Sequence, residues 1–451
     1  MKTQSATTWF GTGRVENRGV TKIELAATSI GRAVQARIYR EGAFGRLPTV
    51  PVSAEALERA ARRRMSRAAF AYVAGAAGQE RTAQANTEAF GHWSVVPRMM
   101  RDTTARDTSV ELFGRRLPAP VLLAPVGVLE MAHPGADVAV AEAASSLGLP
   151  MVFSTQASRS MEDCAAVMEG SPRWYQLYWS SSDELVASFL SRAERAGCEA
   201  VVVTLDTSVL GWRPRDLDGG YLPFAHGKGI AQYTSDPVFR RLVQQKVAHP
   251  DPTATRPRPT PGAVRTLVDL SRAYPGRFGD NLRSPYPRAA VETFLEVFSR
   301  SSLTWADLPS LRSMTSLPIL VKGLLSADDA DRALDAGVDG IVVSNHGGRQ
   351  VDSALAALDA LPGVVDRVDG RVPVLMDSGI RSGADIVTAL ALGAAAVCVG
   401  RPYVYGLALA GADGVRAVLE HLLAELDLTM ALSGVTSVAE ITRDLLVPSR
   451  P

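Results

Sequence analysis

Gly340-Ile341-Val342-Val343-Ser344-Asn345-His346-Gly347-Gly348-Arg349-Gln350 is the stretch on which the fold turns. Its first half is a short β-branched run, the composition of a strand buried on both faces. It then breaks into polar residues and two glycines. A histidine and an arginine three residues apart, on a glycine turn just past a buried strand, have the makings of a site. An imidazole takes up a proton near neutral pH. A guanidinium grips a carboxylate through two parallel N–H donors. By itself the motif also fits an ordinary strand-to-helix turn, with His346 capping a neighbour and Arg349 solvated. What the chain places at equivalent points decides between the two.

Outward from this strand the same pattern repeats. Apolar runs at 121–127, 151–155, 173–178, 200–206, 318–323, 340–346, 373–379 and 396–402 predict strands. Amphipathic stretches at 137–147, 160–168, 183–196, 307–314, 326–337, 354–368, 383–393 and 405–426 predict the helices between and after them. Short buried strands alternating with helices mean parallel βα units, and eight in succession predict an α/β fold of the closed (β/α)8 TIM barrel type. A doubly wound sheet is the alternative, but no Gly-x-Gly-x-x-Gly follows the first strand.

Three regions flank or interrupt the repeat. Residues 1–35 have weak periodicity and read as a tail, disordered or upstream of the true start. Residues 36–118 read as a helical and extended segment packing on a barrel of residues 119–451, with one helix from Ser53 to Ala77 carrying Tyr72 near its last turns. Residues 207–303 form a connection far longer than an ordinary loop. Within it, His249 to Gly262 is rich in Pro, Thr and Arg and is predicted to be disordered or extended, between flanks bearing Tyr221, Phe224, Tyr233, Phe239 and Phe294. Because it leaves the C-terminal end of a strand it starts at the active-site face, so it reads as a lid or interface segment, or as an insertion without a role.

Composition excludes several classes. A formal net charge of +1 over 451 residues gives no bulk attraction to nucleic acid or to an acidic membrane. No apolar run is long enough to cross a bilayer, and the N-terminus lacks the apolar core of a secretory signal. Glu16 and Glu24 interrupt any transit-peptide pattern. Cys164, Cys198 and Cys398 sit inside apolar segments, without metal-ligand spacing, and read as buried thiols in a reducing cytoplasm.

Barrels of this kind take their catalytic groups from the C-terminal ends of the strands. Those ends read Gly127, then Ser154, Gln176 with Tyr178, Thr204 with Asp206, Lys322, His346 with Arg349, Asp377 with Gly379, and Gly400 with Arg401. Polar groups thus converge on one rim while the strand bodies stay apolar. Small residues and arginines at the last two ends, Asp377-Ser378-Gly379-Ile380-Arg381 and Gly400-Arg401-Pro402, suit a phosphorylated ligand, whether substrate, nucleotide or flavin. Lys322 also leaves open a flavin-free Schiff-base enzyme.

SNHGGRQ, LPILVKG, QLY, TLDT, DSGIRSGAD and ALGAAAVCVGRP together resemble the FMN-dependent L-2-hydroxy acid oxidases and dehydrogenases, over roughly residues 36–450. The runs from Leu210 to Leu217 and from Thr234 to Phe239, with the long insertion, are most similar to the lactate 2-monooxygenase branch. The resemblance implies FMN as cofactor and a homo-oligomer, a tetramer or larger. It implies His346 as proton acceptor with Asp206 as its partner, and Arg349, Arg213, Tyr72 and Tyr178 as substrate contacts. Lys322 falls beside the flavin's N1–C2 edge. Val126, Gly127, Ser154, Gln176, Thr204 and Ser344 fall at its ring, and Asp377, Ser378, Gly379, Arg381, Gly400 and Arg401 at its ribityl chain and phosphate.

The implied reaction is oxidation of a small L-2-hydroxy acid with dioxygen as acceptor. If the 2-oxo acid and peroxide are held together, a shortened acid, carbon dioxide and water follow; otherwise the enzyme is an oxidase, or with another acceptor a dehydrogenase. Two positions depart from shorter members of the family. Gln156 replaces an aromatic after the second strand, and Gly127 places no methyl over the flavin, so the pocket is expected to be larger or more polar than one built for lactate.

Overall fold

The computed structural model describes residues 29–249 and 260–449. Eight parallel strands close into a barrel: β1 (Val121–Leu123), β2 (Met151–Phe153), β3 (Arg173–Leu177), β4 (Val201–Thr204), β5 (Ile319–Leu324), β6 (Gly340–Val343), β7 (Val374–Met376) and β8 (Ala396–Val399). Each pairs with the next, and β8 returns to β1 through Val397 opposite Val121. The helices that follow are α1 (Ala136–Leu147), α2 (Met161–Met168), α3 (Asp183–Arg195), α4 (Leu308–Arg312), α5 (Ala327–Asp335), α6 (Ala357–Val368), α7 (Gly383–Ala391) and α8 (Arg401–Ser433). Serines set four of the starts: the side chains of Ser160, Ser182, Ser326 and Ser382 accept from backbone N–H groups in the first turns of α2, α3, α5 and α7.

The alternation of the strands explains where the site lies. Val121, Leu123, Phe153, Tyr175, Val203, Val321 and Ile341 belong to the core shared with the helices. Their neighbours Leu122, Val152, Trp174, Val202, Leu320, Val342 and Leu375 make a separate apolar cluster inside the barrel. A hairpin of Val110–Leu112 and Arg115–Leu117 joins that cluster from the N-terminal end, with Phe113 edge-on to Trp174 at 5.6 Å between ring centroids. One inward position further along the strands the side chains are Ala124, Ser154, Gln176, Thr204, Lys322, Ser344, Asp377 and Cys398. The interior therefore changes from hydrocarbon to hydrogen-bonding groups within one layer.

The N-terminal region differs from expectation in two respects. A helix, Ile30–Gly42, begins inside the stretch read as a tail and packs on α8, where Asp427 accepts from the Ser29 hydroxyl and from the Gly31 N–H. Residues 1–28 lie outside the described residues. The single helix expected from Ser53 to Ala77 is two, Ala54–Arg64 and Arg67–Ala74. Met65 is extended, and the Ser66 hydroxyl accepts from the Ala69 N–H to start the second helix on a new axis.

The insertion is built of helices, chiefly Pro237–Ala248, Pro261–Ala273 and Tyr286–Val297. Residues 250–259, the bulk of the segment expected to be disordered or extended, lie outside the described residues; Pro261 and Gly262 are the first turn of a helix capped by Thr260. Its body packs beside the barrel. Buried Arg192 on α3 holds Glu162 on α2 through two bonds of 2.9 Å and reaches Asp236 of the insertion at 3.1 Å. Phe189 of α3 meets Tyr233 edge-on at 5.1 Å, and Tyr233 meets Phe239 and Phe294 at 5.3 and 4.9 Å.

Candidate active site

Past β6 the chain makes three consecutive left-handed residues, His346 at φ 58°, Gly347 at 64° and Gly348 at 76°. Gly348 is required for a second reason: a Cβ there would lie 2.5 Å from the backbone nitrogen of Ala83. The turn is held from below, since the N–H groups of His346 and Gly347 donate to the hydroxyls of Ser344 (3.0 Å) and Ser378 (2.9 Å). Asn345 pairs with buried Asn86 of the N-terminal segment through bonds of 2.8 and 2.7 Å. A non-glycine residue at positive φ is strained, and here the surroundings over-determine it.

His346 Nδ1 lies 2.7 Å from Asp206 Oδ1, which also accepts from the Thr207 hydroxyl at 3.0 Å. Burial pushes Asp206 up, but His346 and Lys322 outweigh it and bring the carboxyl down to about 2. Burial pulls His346 below its ordinary value, with Asp206 opposing and Lys322 and Arg213 assisting. The neutral imidazole therefore keeps its proton on Nδ1, donates that N–H to the Asp206 carboxylate and turns a lone pair on Nε2 toward the Tyr178 hydroxyl, 3.4 Å away. Tyr178 is pushed up to about 12 by burial and by Asp206, so it stays a donor.

Lys322 Nζ lies 3.0 Å from Asp377 Oδ2 and 2.8 Å from the Ser344 hydroxyl. Burial favours the neutral amine, yet Asp377 and Asp206 prevail and hold the ammonium above its ordinary value. A lysine nucleophile needs the opposite shift, which argues against the Schiff-base alternative.

Three arginines meet on the other side. Arg349 Nη1 donates to the carbonyls of Tyr72 (2.5 Å) and Gly75 (2.7 Å), and the guanidinium lies 5.0 Å from the centroid of the Tyr72 ring. Its Nε and Nη2 make no hydrogen bond among the described residues. Arg213 donates to the Arg349 carbonyl (3.1 Å) and to Gln350 Oε1 (2.8 Å). Arg401, expected at a phosphate, donates to the carbonyls of Val73, Gly347 and Gly75 at 3.1, 3.0 and 3.1 Å, tying the N-terminal segment to the His346 turn. Burial and the nearby Arg349 bring Arg213 and Arg401 down to about 10. Stacked cations of this kind favour an anion between them.

These groups line one cavity. Tyr72, Tyr178, Arg213, Lys322, His346 and Arg349 all face it, as do Val126, Gly127, Ser154, Asp377, Ser378, Gly379, Arg381, Gly400 and Arg401. Asp206, Gln176, Thr204 and Ser344 do not; they stand behind its wall. Ser154 donates to Gln176 Oε1 at 3.1 Å, and Gln176 Nε2 to the Thr204 hydroxyl at 3.0 Å, a chain across the ends of β2, β3 and β4. Sequence reasoning missed Thr207, which the TLDT run already contained, Leu210, which opens the Leu210–Leu217 run, and Phe298, which stands in the wall with no motif to mark it.

The donor set fits FMN. Glycines at the ends of β7 and β8, with Arg381 and Arg401, suit a phosphate; a Cβ on Gly400 would only touch Ala124 and Val126, at 3.8 and 3.9 Å. The buried ammonium beside a chain of hydroxyl and amide groups suits the polar edge of a flavin ring. Gly127 and Gln156, the two departures, are in contact: a Cβ on Gly127 would lie 3.0 Å from the Gln156 carbonyl and 3.1 Å from its Cβ.

Comparison with known proteins agrees. The pattern of the FMN-dependent dehydrogenases matches residues 61–448. An FMN-dependent alpha-hydroxy acid dehydrogenase of Penicillium citrinum is 41% identical over 413 residues, 91% of this chain and 94% of that protein. An L-lactate oxidase of Lysinibacillus sphaericus is 38% identical over 397 residues, 88% and 93% of the two chains. The crystal structure of mandelate oxidase with (S)-4-hydroxymandelic acid superposes with a TM-score of 0.72 at 38% identity, covering 88% of this chain and 99% of that one. With the His346 turn, the Lys322 ammonium and the glycine–arginine ends of β7 and β8 around one cavity, the chain belongs to the FMN-dependent 2-hydroxy acid oxidoreductases of the FMN-dependent dehydrogenase family.

Proposed function

We propose that the protein oxidises a small L-2-hydroxy acid with dioxygen as electron acceptor and carries the product on, as lactate 2-monooxygenase does, to a shortened acid. The observation that carries this reading is the pairing of a neutral, Asp206-oriented His346 with a free guanidinium edge on Arg349 in the same cavity. The substrate carboxylate lies on Arg349, with Tyr72 and Arg213 beside it. Its hydroxyl proton passes to His346 Nε2, and the resulting imidazolium is stabilised by Asp206. Tyr178 donates to the substrate oxygen and fixes its direction. FMN, when bound, would take up the C2 hydrogen with the two electrons of the oxidation and pass the electrons to dioxygen. Lys322 supplies fixed positive charge where reduction places negative charge.

Two ends of the insertion, Leu210 with Arg213 and then Phe298, bound the cavity, which favours holding the 2-oxo acid until peroxide attacks its carbonyl and carbon dioxide leaves. A second reading, an oxidase that releases 2-oxo acid and hydrogen peroxide, is favoured by the rim: Val209 and Trp212 are 65% and 73% exposed, and the insertion's body packs beside the barrel. Product analysis after one aerobic turnover separates them, since retention gives acid plus carbon dioxide and release gives oxo acid plus peroxide. A yellow protein that no 2-hydroxy acid bleaches anaerobically overturns both. A homo-oligomer in a reducing cytoplasm is part of the proposal, supported by three buried free thiols and by exposed Tyr39, Phe44 and Leu47. No helix among the described residues is long and apolar enough to cross a membrane.

A further inference from the structure

Among the described residues, the insertion meets the cavity at two places, the strip from Thr207 to Arg213 as the chain leaves β4, and Phe298 as it returns toward β5. Phe298 is half-buried. It stacks on Phe294 at 5.4 Å and 25°; Phe294 is fully buried, edge-on to Tyr233 at 4.9 Å and against Phe224 at 5.1 Å. A rigid aromatic core therefore presents one of its rings to the cavity.

The side on which that ring stands follows from its neighbour. Ser299 lines a second cavity whose wall includes Tyr178 and Thr207, and both of these line the first cavity too. Phe298 lines the first cavity and is followed at once by a residue of the second, which sets it beside the wall that the two share with Tyr178 and Thr207. A substrate with its carboxylate on Arg349 and its hydroxyl toward His346 and Tyr178 has one substituent left. On the insertion's side of the cavity the large apolar side chains that it meets are Leu210 and Phe298.

We infer that Phe298, with Leu210, is the specificity-determining contact for the substituent at C2, and that the preferred substrates carry a bulky apolar, above all aromatic, group there. The inference rests on the reading of the site as a 2-hydroxy acid oxidase site and names its substrate class. A methyl group is too small to use a ring and a leucine at once. An aryl group uses both, and the offset or edge-on contact between rings adds to the burial. A phenyl ring neither takes up the proton nor grips the carboxylate, so its effect falls on substrate binding.

The test is anaerobic flavin reduction by the holoenzyme with (S)-mandelate, 2-hydroxyisocaproate and L-lactate, in the wild type and in Phe298→Ala, Phe298→Leu and Phe298→Trp, with FMN content measured for each. The wild type should favour mandelate over lactate in kcat/KM. Phe298→Ala should lose roughly 10–100-fold for mandelate, mainly in KM, and less than about threefold for lactate. Phe298→Leu should recover the branched acid more than the aryl one, and Phe298→Trp should disfavour the largest acids. A general packing defect would instead lower FMN content or depress all three acids together, and that outcome overturns the inference while leaving the function standing. A wild type that prefers lactate also overturns it. If no 2-hydroxy acid reduces the wild-type flavin, the function fails and this inference with it.

Discussion

Replacing Asp206 by asparagine tests the core of the proposed chemistry. The carboxylate is held below its ordinary range and lies 2.7 Å from His346 Nδ1, so it carries a full negative charge beside the ring that is to become cationic. With charge centres about 4 Å apart and an effective dielectric near 20, that interaction amounts to about 4 kcal/mol. The carboxamide of Asp206→Asn has the same shape and no charge. The proton transfer to Nε2 forms the imidazolium, so most of that energy is lost in the transition state and little in substrate binding. About 4 kcal/mol corresponds to roughly a thousandfold in rate. The amide can also present its NH2 to Nδ1, which would favour the wrong tautomer and place a proton on Nε2. The assay is stopped-flow reduction of the bound flavin without oxygen, which isolates the first half-reaction. We expect a rate lower by about two to three decades, unchanged FMN content and KM within a few-fold. A variant reducing at near wild-type rate would show that His346 is not the base or that its charge is compensated elsewhere, and the proposed mechanism would fall.

Other consequences follow from the same geometry. His346→Ala should retain flavin and lose reduction by about 10²–10⁴-fold; normal reduction would move the base elsewhere. Because His346 titrates below its ordinary 6.5, the base stays unprotonated as pH falls through 6.5, so the acid limb of kcat/KM for reduction should lie below that value; a limb above 6.5 would contradict the assignment. Arg349→Lys removes the fork and one of the two carbonyl ties of Nη1, and should raise KM roughly 10–100-fold with a smaller effect on kcat; an unchanged KM would place the carboxylate elsewhere. Arg192→Ala removes the cation beside fully buried Asp236, which then keeps the Ser188 hydroxyl and the Val238 and Phe239 N–H groups as donors, and should destabilise the chain by about 3–5 kcal/mol while sparing the rate constants of the folded enzyme for lactate; a thermal midpoint equal to the wild type would show that water replaces the pair.

The barrel was legible because its information is local. A strand such as Val201–Thr204 announces itself by β-branched residues, and its period of two puts Val202 on one face and Val201 with Val203 on the other before any contact is known. That period continues past the strand's end, so Thr204 and Asp206 fall on one face with Val202, and Lys322 lies opposite Thr204 in the register of β4 and β5. Thus the rim of polar groups could be read from strand ends alone. What could not be read was what comes to that rim from a distance. Arg401 was marked as a candidate phosphate contact by its glycine neighbour, but its ties to Val73, Gly75 and Gly347 had no local signal, because they depend on where the N-terminal segment docks. The new helix at Ser66 was hidden inside a run of helix formers, because a cap acts through one hydroxyl and leaves no periodic trace.

The insertion shows the same division from the other direction. Its length promised a lid, since a chain leaving β4 must start at the mouth. Its apolar residues were visible as aromatics, but aromatics without a period give no facing. Their destination is set by Arg192 and Phe189 on α3, which draw Asp236 and Tyr233 to the barrel's flank. Once the body is held there, the two ends are what reach the cavity among the described residues, and the last residue of the aromatic stack, Phe298, becomes part of the wall by consequence of that docking. The insertion therefore acts on the chemistry through the shape of one side of the pocket. A change that loosens its body, such as at Arg192, should reach the substrate only as far as it moves that ring. Loss of selectivity between aryl and methyl acids in a destabilised Arg192→Ala enzyme, with reduction of lactate intact, would be the signature of that coupling.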